Sequence, residues 1–123
     1  MLRRLLLPLA VGISLAVAAV GYAGTSTSKS TGLVGEVGPG YTIEVKKNGK
    51  DLKTIMAGTY KIKVEDKSSS HNFHLIGKGL NKSTAVAFMG DKTWTITLKP
   101  GKVTYQCDPH AARGMKGSFR VTS

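Results

Sequence analysis

The sequence predicts an all-β fold, a Greek-key antiparallel β-sandwich of about seven or eight strands. Apolar residues repeat with a period of two in short segments, as they do in half-buried strands. Turn residues recur between these segments, and the 123-residue chain contains 15 glycines and 4 prolines. We find no helical stretch of useful length in the folded region. A chain of this length is expected to form one compact domain.

Each predicted strand follows from local alternation. Tyr60, Ile62 and Val64, for example, alternate with charged residues, which places the apolar groups on one face. Asn48-Gly49 predicts a tight hairpin turn because both positions tolerate positive φ, and Pro100-Gly101 predicts a second turn. The predicted strands are 41–45, its return strand 52–55, 60–64, 71–76, 94–98, 103–107 and 119–121.

The N-terminal 23 residues have the pattern of a signal peptide. Arg3 and Arg4 precede an apolar run over residues 5–20, and small residues stand at the two positions that a signal peptidase inspects, Gly21 and Ala23. We therefore expect an exported protein, periplasmic or extracytoplasmic, with a flexible spacer at 24–32 and the folded domain at 33–123. An uncleaved N-terminal anchor is the alternative, because the run is close to the ~17 residues that span a bilayer.

The cysteine and histidine counts exclude several classes of site. A single cysteine can form neither an intrachain disulfide nor a four-cysteine zinc site. Three histidines are too few for a multinuclear copper or zinc centre built mainly of imidazoles.

One short segment near the C-terminus concentrates the chemistry. Cys107, His110 and Met115 place a thiol, an imidazole and a thioether in a single loop after a predicted strand. A thiolate with imidazoles and a weak thioether suits copper that cycles between Cu(I) and Cu(II). A further imidazole is expected from a distant strand, and either His71 or His74 could supply it.

Four segments carry a resemblance that runs from about residue 33 to residue 122. With them the sequence closely resembles the small type 1 blue copper proteins, the cupredoxins of the plastocyanin and amicyanin kind, and the Cys-x2-His-x4-Met spacing matches the plastocyanin-like loop. The segments are His71-Asn72-Phe73-His74-Leu75, Trp94-Thr95-Ile96-Thr97-Leu98 leading into Pro100-Gly101, Tyr105-Gln106-Cys107-Asp108-Pro109-His110, and Met115-Lys116-Gly117-Ser118-Phe119.

The resemblance implies a role for each matching residue. Cys107 would be the equatorial thiolate, His71 and His110 the equatorial imidazoles, and Met115 the long axial ligand of one copper ion. His71 is preferred to His74 because it is followed directly by Asn, as the family's ligand is, whereas His74 would point to the opposite face of a strand. We expect His74 to be a structural or surface residue.

Two further positions are implied to support the ligands without touching the metal. Asn72 would tie the His71 segment to the region around Cys107, and Pro109 would lie beside the ligands in the loop. Such outer hydrogen bonds fix ligand geometry. By the same resemblance, His110 would be the port through which electrons enter and leave.

The function implied is an exported electron-transfer protein that carries one electron on a mononuclear type 1 copper. The alternative is a protein for extracytoplasmic copper handling without a defined redox partner. A third interpretation, a fragment of a multicopper oxidase or nitrite reductase, fails because only His74 would remain for a substrate-binding copper. We therefore expect no enzymatic activity.

The formal net charge of +11 bears on partners. It favours steering toward a redox protein with an acidic docking surface, or attraction to an anionic membrane surface. A generic solubilising surface is the alternative interpretation. Nucleic acid is not an expected partner because no aromatic-basic platform is evident, and a monomer is the default for this size.

Overall fold

The computed structural model describes residues 32–123, which form a two-sheet sandwich. The predicted signal peptide and all of the predicted spacer but its last residue lie outside the described residues. One five-stranded sheet has the order β3-β2-β1-β5-β8, and the other has the order β4-β10-β9-β6-β7. The strands are β1 Leu33–Val37, β2 Ile43–Lys47, β3 Lys50–Asp51, β4 Thr54–Met56, β5 Gly58–Asp66, β6 His74–Gly77, β7 Leu80–Ser83, β8 Gly90–Leu98, β9 Gly101–Gln106 and β10 Lys116–Thr122.

The all-β sandwich that was predicted from the alternation is confirmed, although both sheets are mixed. The β1–β5 pair is parallel in the first sheet, and the β4–β10 pair is parallel in the second. The other strand pairs are antiparallel. Period-two alternation reports which face of a strand is buried but not the direction of the neighbouring strand. The prediction of a purely antiparallel sandwich therefore did not include the two parallel pairs.

The predicted hairpin is confirmed, but its return strand is not. Asn48 and Gly49 have φ values of 51° and 78°, as the turn requires, and β2 pairs with β3. The return strand ends after two residues, and the chain then crosses to the second sheet, where β4 pairs with β10. Leu52 is 5% exposed at this crossing. A single strand over 52–55 was therefore wrong, because Leu52 and Ile55 are buried on either side of the crossing between sheets.

Two predicted strands near the candidate ligands are shorter than expected. β6 begins at His74, so His71 precedes the strand instead of lying within it. β9 ends at Gln106, so Cys107 follows its last residue. Both candidate ligands thus lie just beyond the hydrogen-bonded ends of neighbouring strands, which leaves their positions free of the ladder geometry.

The core lies between the sheets. Phe73 and Leu75 are fully buried, and Phe119 is 4% exposed, while Trp94 is only partly buried and packs against this core. Gly35 of β1 lies directly against the Phe73 ring: a Cβ there would come within 2.5 Å of Cζ. The Phe73 ring therefore occupies the space that a side chain at position 35 would fill, and Phe73 lies two residues after His71. Among the described residues, no helix is long and apolar enough to cross a membrane.

Candidate metal centre

The loop after β9 brings three of the predicted ligands to one end of the sandwich. Cys107 immediately precedes a 3₁₀ helix, Asp108–Arg113. Pro109 lies at the start of this helix, where a missing N–H costs nothing because that group would have no helical partner. Gly114 ends the helix in the left-handed region with φ of 92°, and the chain reverses so that Met115 returns to Cys107.

A closed ring of three backbone hydrogen bonds holds this loop. The Cys107 N–H donates to the Met115 carbonyl at 3.0 Å, the Met115 N–H to the His110 carbonyl at 3.2 Å, and the His110 N–H to the Cys107 carbonyl at 3.1 Å. Each of the three residues donates one bond and accepts one. The main chain therefore holds the backbone positions of the three candidate ligands relative to one another.

His71 reaches the same place from the segment between β5 and β6. Its N–H donates to the Ser68 carbonyl at 3.5 Å, and the Ser68 N–H donates to the Asp66 carboxylate at 3.1 Å. The Thr84 hydroxyl donates to the other oxygen of Asp66 at 3.2 Å. Burial raises the pKa of Asp66 against the opposing effect of these hydrogen bonds. The turn that carries His71 is thus anchored to the end of β5 by a buried carboxyl.

Three side-chain donor atoms converge at this end of the molecule. The Nδ1 atoms of His71 and His110 are 3.0 Å apart, and Cys107 Sγ lies 3.6 Å from the first and 3.4 Å from the second. From these distances, a point about 1.9 Å from all three atoms lies in their plane. Imidazole nitrogen and thiolate sulfur bind metal ions at ~2.0–2.3 Å, so one ion fits among them.

The donor set has the chemistry of a copper site. It combines one sulfur with two imidazole nitrogens and, among the described residues, it is the only cluster of three or more histidine, cysteine or acidic side chains that could hold a metal. Cys107 is fully buried and His71 is 4% exposed, while His110 is only partly buried. No carboxylate belongs to the cluster. A trigonal His2Cys set with a weak axial thioether is typical of electron-transfer copper.

Met115 is placed beside this cluster. It is 3% exposed, and its backbone belongs to the hydrogen-bonded ring with Cys107 and His110. Met115 also lines a surface recess together with Tyr41, Arg113 and Gly114.

Asn72 joins the two segments that carry the ligands. Its Nδ2 donates to Asp108 Oδ2 at 2.9 Å and to the Thr84 carbonyl at 3.3 Å, and its Oδ1 accepts a bond from the Asp108 N–H at 2.8 Å. Asn72 follows His71 and Asp108 follows Cys107 in the chain. The side chain of Asn72 therefore connects the two ligand segments directly.

His74 lies outside the cluster and faces away from it. Its Nδ1 is 2.8 Å from Asp108 Oδ1, and its Nε2 is 2.6 Å from Asn81 Oδ1. Burial lowers the pKa of His74, but the hydrogen bonds to Asp108 and Asn81 and the charge of Asp108 outweigh it and raise the pKa. Of the two upstream histidines, the structure thus brings only His71 to the thiol.

Tyr41 and Asp108 are contacts of the site that the sequence did not reveal. The Tyr41 ring lies edge-on to the rings of both His71 and His110, with centroids 5.3 Å and 4.9 Å away. Period-two alternation placed Tyr41 in a strand, but β2 begins only at Ile43, and no local signal indicated the contact. The sequence interpretation included Asp108 only as a residue of the ligand loop. Its acidic side chain directly after the thiol was the signal that could have indicated a role at the site.

Comparison with known proteins agrees with this geometry. The sequence model of a family described as copper binding proteins, plastocyanin/azurin family, matches residues 27–122. Among solved structures, reduced rusticyanin is similar with 26% identity and a TM-score of 0.55, over 73% of this chain and 77% of that one. Reduced auracyanin from Roseiflexus castenholzii is similar in fold, with 19% identity and a TM-score of 0.50, over 73% of this chain and 95% of that one.

Proposed function

The chain belongs to the plastocyanin/azurin family of copper-binding proteins, and from that premise we propose that it is an exported carrier of single electrons. The observation that carries the proposal is the convergence of one sulfur and two imidazole nitrogens around a single point. We assign His71, Cys107 and His110 as the equatorial ligands and Met115 as the axial ligand. When bound, copper supplies a one-electron couple between Cu(I) and Cu(II).

The protein contributes a fixed arrangement of donors. The ring of hydrogen bonds through Cys107, His110 and Met115 and the bonds of Asn72 hold both ligand segments by groups other than the donor atoms. Ligands held in this way need to move little when the charge at the site changes, which favours fast transfer. With copper bound, the Cys107 sulfur would act as a thiolate, because a coordinating thiol loses its proton.

His110 is the best-placed ligand for exchanging electrons with a partner. It is partly exposed, whereas His71, Cys107 and Met115 are buried. Pro109 and Ala111, whose side chains are apolar, flank it in the 3₁₀ helix. We assign the His110 ring as the electron port on this ground.

The visible spectrum tests the copper site. We expect the purified protein to develop an intense blue thiolate-to-copper band on addition of Cu(II), to bleach with reductant and to recover on reoxidation. Cys107→Ser should lose the band, whereas His74→Gln should keep it because His74 lies outside the cluster. A colourless wild-type protein would contradict the proposal. Loss of the metal on each reduction would instead favour copper handling.

The distribution of charge supports an acidic redox partner. The ion pairs between lysines and acids in residues 32–123 involve the first sheet and the residue that follows β5: Lys46 with Glu44, Lys63 with Glu65 and Asp91, and Lys67 with Glu36. The outer face of the second sheet presents exposed Lys102, Lys116 and Arg120, and none of these pairs with an acid within that range.

We call Lys102, Lys116 and Arg120 the basic strip. Arg120 lies opposite Lys102 in the β9–β10 register, and Lys116 directly follows Met115, so the strip runs up to the ligand loop. Uncompensated charge beside the electron port can steer a partner of opposite charge into a productive orientation. Lys46, Lys63 and Lys67 are less suited to this because their charges are already paired.

Two variants with equal changes in net charge test the strip. One replaces Lys102, Lys116 and Arg120 with Gln, and the control replaces Lys46, Lys63 and Lys67 with Gln. We expect the first to slow electron exchange with an acidic c-type cytochrome at low ionic strength by about tenfold or more, and the control to slow it much less. Equal losses in the two variants, or a rate that does not fall as salt rises, would contradict the assignment.

Export rests on the N-terminal pattern alone. Arg3 and Arg4 followed by an apolar run and small residues at 21 and 23 support a signal peptide. The mass of the mature protein from a secreting host tests this. Cleavage after Ala23 is expected, and a cytoplasmic protein that retains Met1 would refute it.

A further inference from the structure

His74 is the first residue of β6 and belongs to a polar network on the outer face of the second sheet. It lies opposite Gln106 of β9 and opposite Ser83 of β7. Asp108 stands two residues beyond Gln106, so it is the diagonal neighbour of His74 on the same face. Strand register therefore brings an imidazole and a carboxylate together next to the ligand loop.

Both ring nitrogens of His74 face oxygen acceptors. Nδ1 is 2.8 Å from Asp108 Oδ1, and Nε2 is 2.6 Å from Asn81 Oδ1. A neutral imidazole has one donor and one acceptor nitrogen, and only the imidazolium can donate from both. The hydrogen bonds to Asp108 and Asn81 raise the pKa of His74 despite its burial, in agreement with this geometry. His74 and Asp108 are thus placed to form a charge pair when the ring is protonated.

The carboxylate of Asp108 is held by donors on both of its oxygens. Oδ1 accepts from His74 and from Gln106 Nε2 at 2.9 Å, and Oδ2 accepts from Asn72 Nδ2 at 2.9 Å. These three side-chain contacts, on both oxygens, hold the direction of the carboxylate.

We propose that His74 is a positioning residue of the copper site that acts through Asp108. Its ring holds the carboxylate against Asn72, which connects the His71 segment to the Cys107 loop, and its positive charge offsets a negative charge one residue from the thiolate. The inference rests on the proposed copper function and adds a residue that touches neither the metal nor its ligands.

The two charges act on the reduction potential in opposite directions. A negative charge near the metal stabilises Cu(II) relative to Cu(I) and lowers the potential, and a positive charge raises it. Removal of the His74 charge leaves the negative charge of Asp108 unbalanced, so the reduction potential falls. Removal of the Asp108 charge leaves that of His74, so the potential rises. A role confined to folding would not produce shifts of opposite sign.

Voltammetry of the copper-loaded protein at pH 6 tests the inference with three variants. His74→Gln keeps a hydrogen-bond donor but removes the charge, and we expect a lower potential. Asp108→Asn keeps the shape, and we expect a higher potential. The double variant should return most of the way to the wild-type value, because the pair is neutral in both proteins. Shifts of the same sign, or no shift in either single variant, would overturn the inference.

A control pair and a second readout separate this inference from the proposed function. Lys63 and Asp91 form an ion pair at 3.5 Å on the first sheet, and Lys63→Gln and Asp91→Asn should leave the potential nearly unchanged. In the diamagnetic Cu(I) form, nitrogen NMR should show both His74 ring nitrogens protonated at pH 6, and a neutral ring would overturn the charge pair. A wild-type protein without the blue band would refute the copper function and this inference together, whereas blue variants with unchanged potentials would overturn this inference alone.

Discussion

Replacement of Tyr41 by Ala is expected to loosen the hold of the protein on its copper. Tyr41 is 68% exposed, yet its ring lies edge-on to the rings of His71 and His110 at centroid distances of 5.3 Å and 4.9 Å. Both distances lie within the ~4.5–7 Å at which aromatic pairs attract. The ring of Tyr41, although mostly exposed, can thus restrain both imidazole ligands.

The size of the effect follows from these two contacts. Edge-to-face pairs contribute about 0.5–1.5 kcal/mol each, and the exposure of Tyr41 favours the lower half of this range. Loss of both pairs then costs about 1–2 kcal/mol, and if opening of the site limits metal release, the rate should rise about 5- to 30-fold, since 1.4 kcal/mol is a factor of ten. Tyr41→Phe should release copper at nearly the wild-type rate, because the Tyr41 hydroxyl has no hydrogen bond among the described residues.

Transfer of Cu(I) to bathocuproine disulfonate, followed by absorbance, measures the rate. Met56→Ala is the matched control, because Met56 is 66% exposed and lies on β4, outside the ligand segments. Unchanged release from Tyr41→Ala, or equal acceleration in Tyr41→Phe, would refute the argument from ring contacts.

Three further variants test the packing and the hydrogen bonds around the site. Gly35→Ala should lower the free energy of unfolding by about 1–3 kcal/mol, because its Cβ would meet the fully buried Phe73 ring at 2.5 Å; Gly40→Ala, with nothing within 4 Å, is the control in chemical denaturation. Asn72→Ala removes two bonds to Asp108 and one to a carbonyl, so denaturation should show a loss of about 2–4 kcal/mol, and a loss below 1 kcal/mol would contradict that role. The pKa of Asp108 is lowered by its hydrogen-bond donors, so the stability that the ionised carboxylate contributes is present above the ordinary aspartate pKa and is lost as pH falls through the lowered value. The Tm of Asp108→Asn should therefore fall less than that of the wild type between about pH 4 and pH 2. Equal decreases of Tm in the two proteins would contradict this sign.

The local parts of the site could be predicted from the sequence, and the long-range parts could not. The spacing of Cys107, His110 and Met115 indicates one loop because all three lie within nine residues. The choice of His71 over His74 depended on the family resemblance, because both histidines precede or begin the same strand. The contact of Tyr41 with two imidazoles joins loops about 30 and 70 residues apart in the chain. No periodicity within a segment reports such a contact.

The fold shows the same division between local and long-range features. The strands predicted from clear alternation at 60–64 and 94–98 lie within β5 and β8, which both extend beyond the predicted bounds. β7 was missed because only Leu80 of its four residues is buried, so it has no alternation to detect. The crossing at Leu52 and the two parallel pairs depend on how the sheets assemble, which lies beyond the reach of a pattern within one segment.

Strand register explains why Asn72 and Asp108 meet. β6 and β9 are antiparallel, with Ile76 opposite Thr104, Leu75 opposite Tyr105 and His74 opposite Gln106. The same register, continued past the end of the ladder, places Asn72 opposite Asp108. There the Asn72 side chain accepts from the Asp108 N–H, as a main-chain carbonyl of a longer strand would, and it also donates to the Asp108 carboxylate.

Because the Asn72 side chain connects the two segments in place of main-chain hydrogen bonds, the ligand segments need not adopt strand geometry. They nevertheless keep the register of β6 and β9. His71 and Cys107 can turn toward each other because neither belongs to the ladder, yet each is attached to a residue that is held in register. A slip of β6 by one residue would separate Asn72 from Asp108 and would also turn His74 and Leu75 to the wrong faces. The buried side chain of Leu75 therefore disfavours a one-residue slip, and in this way the core supports the register in which the two ligand segments meet.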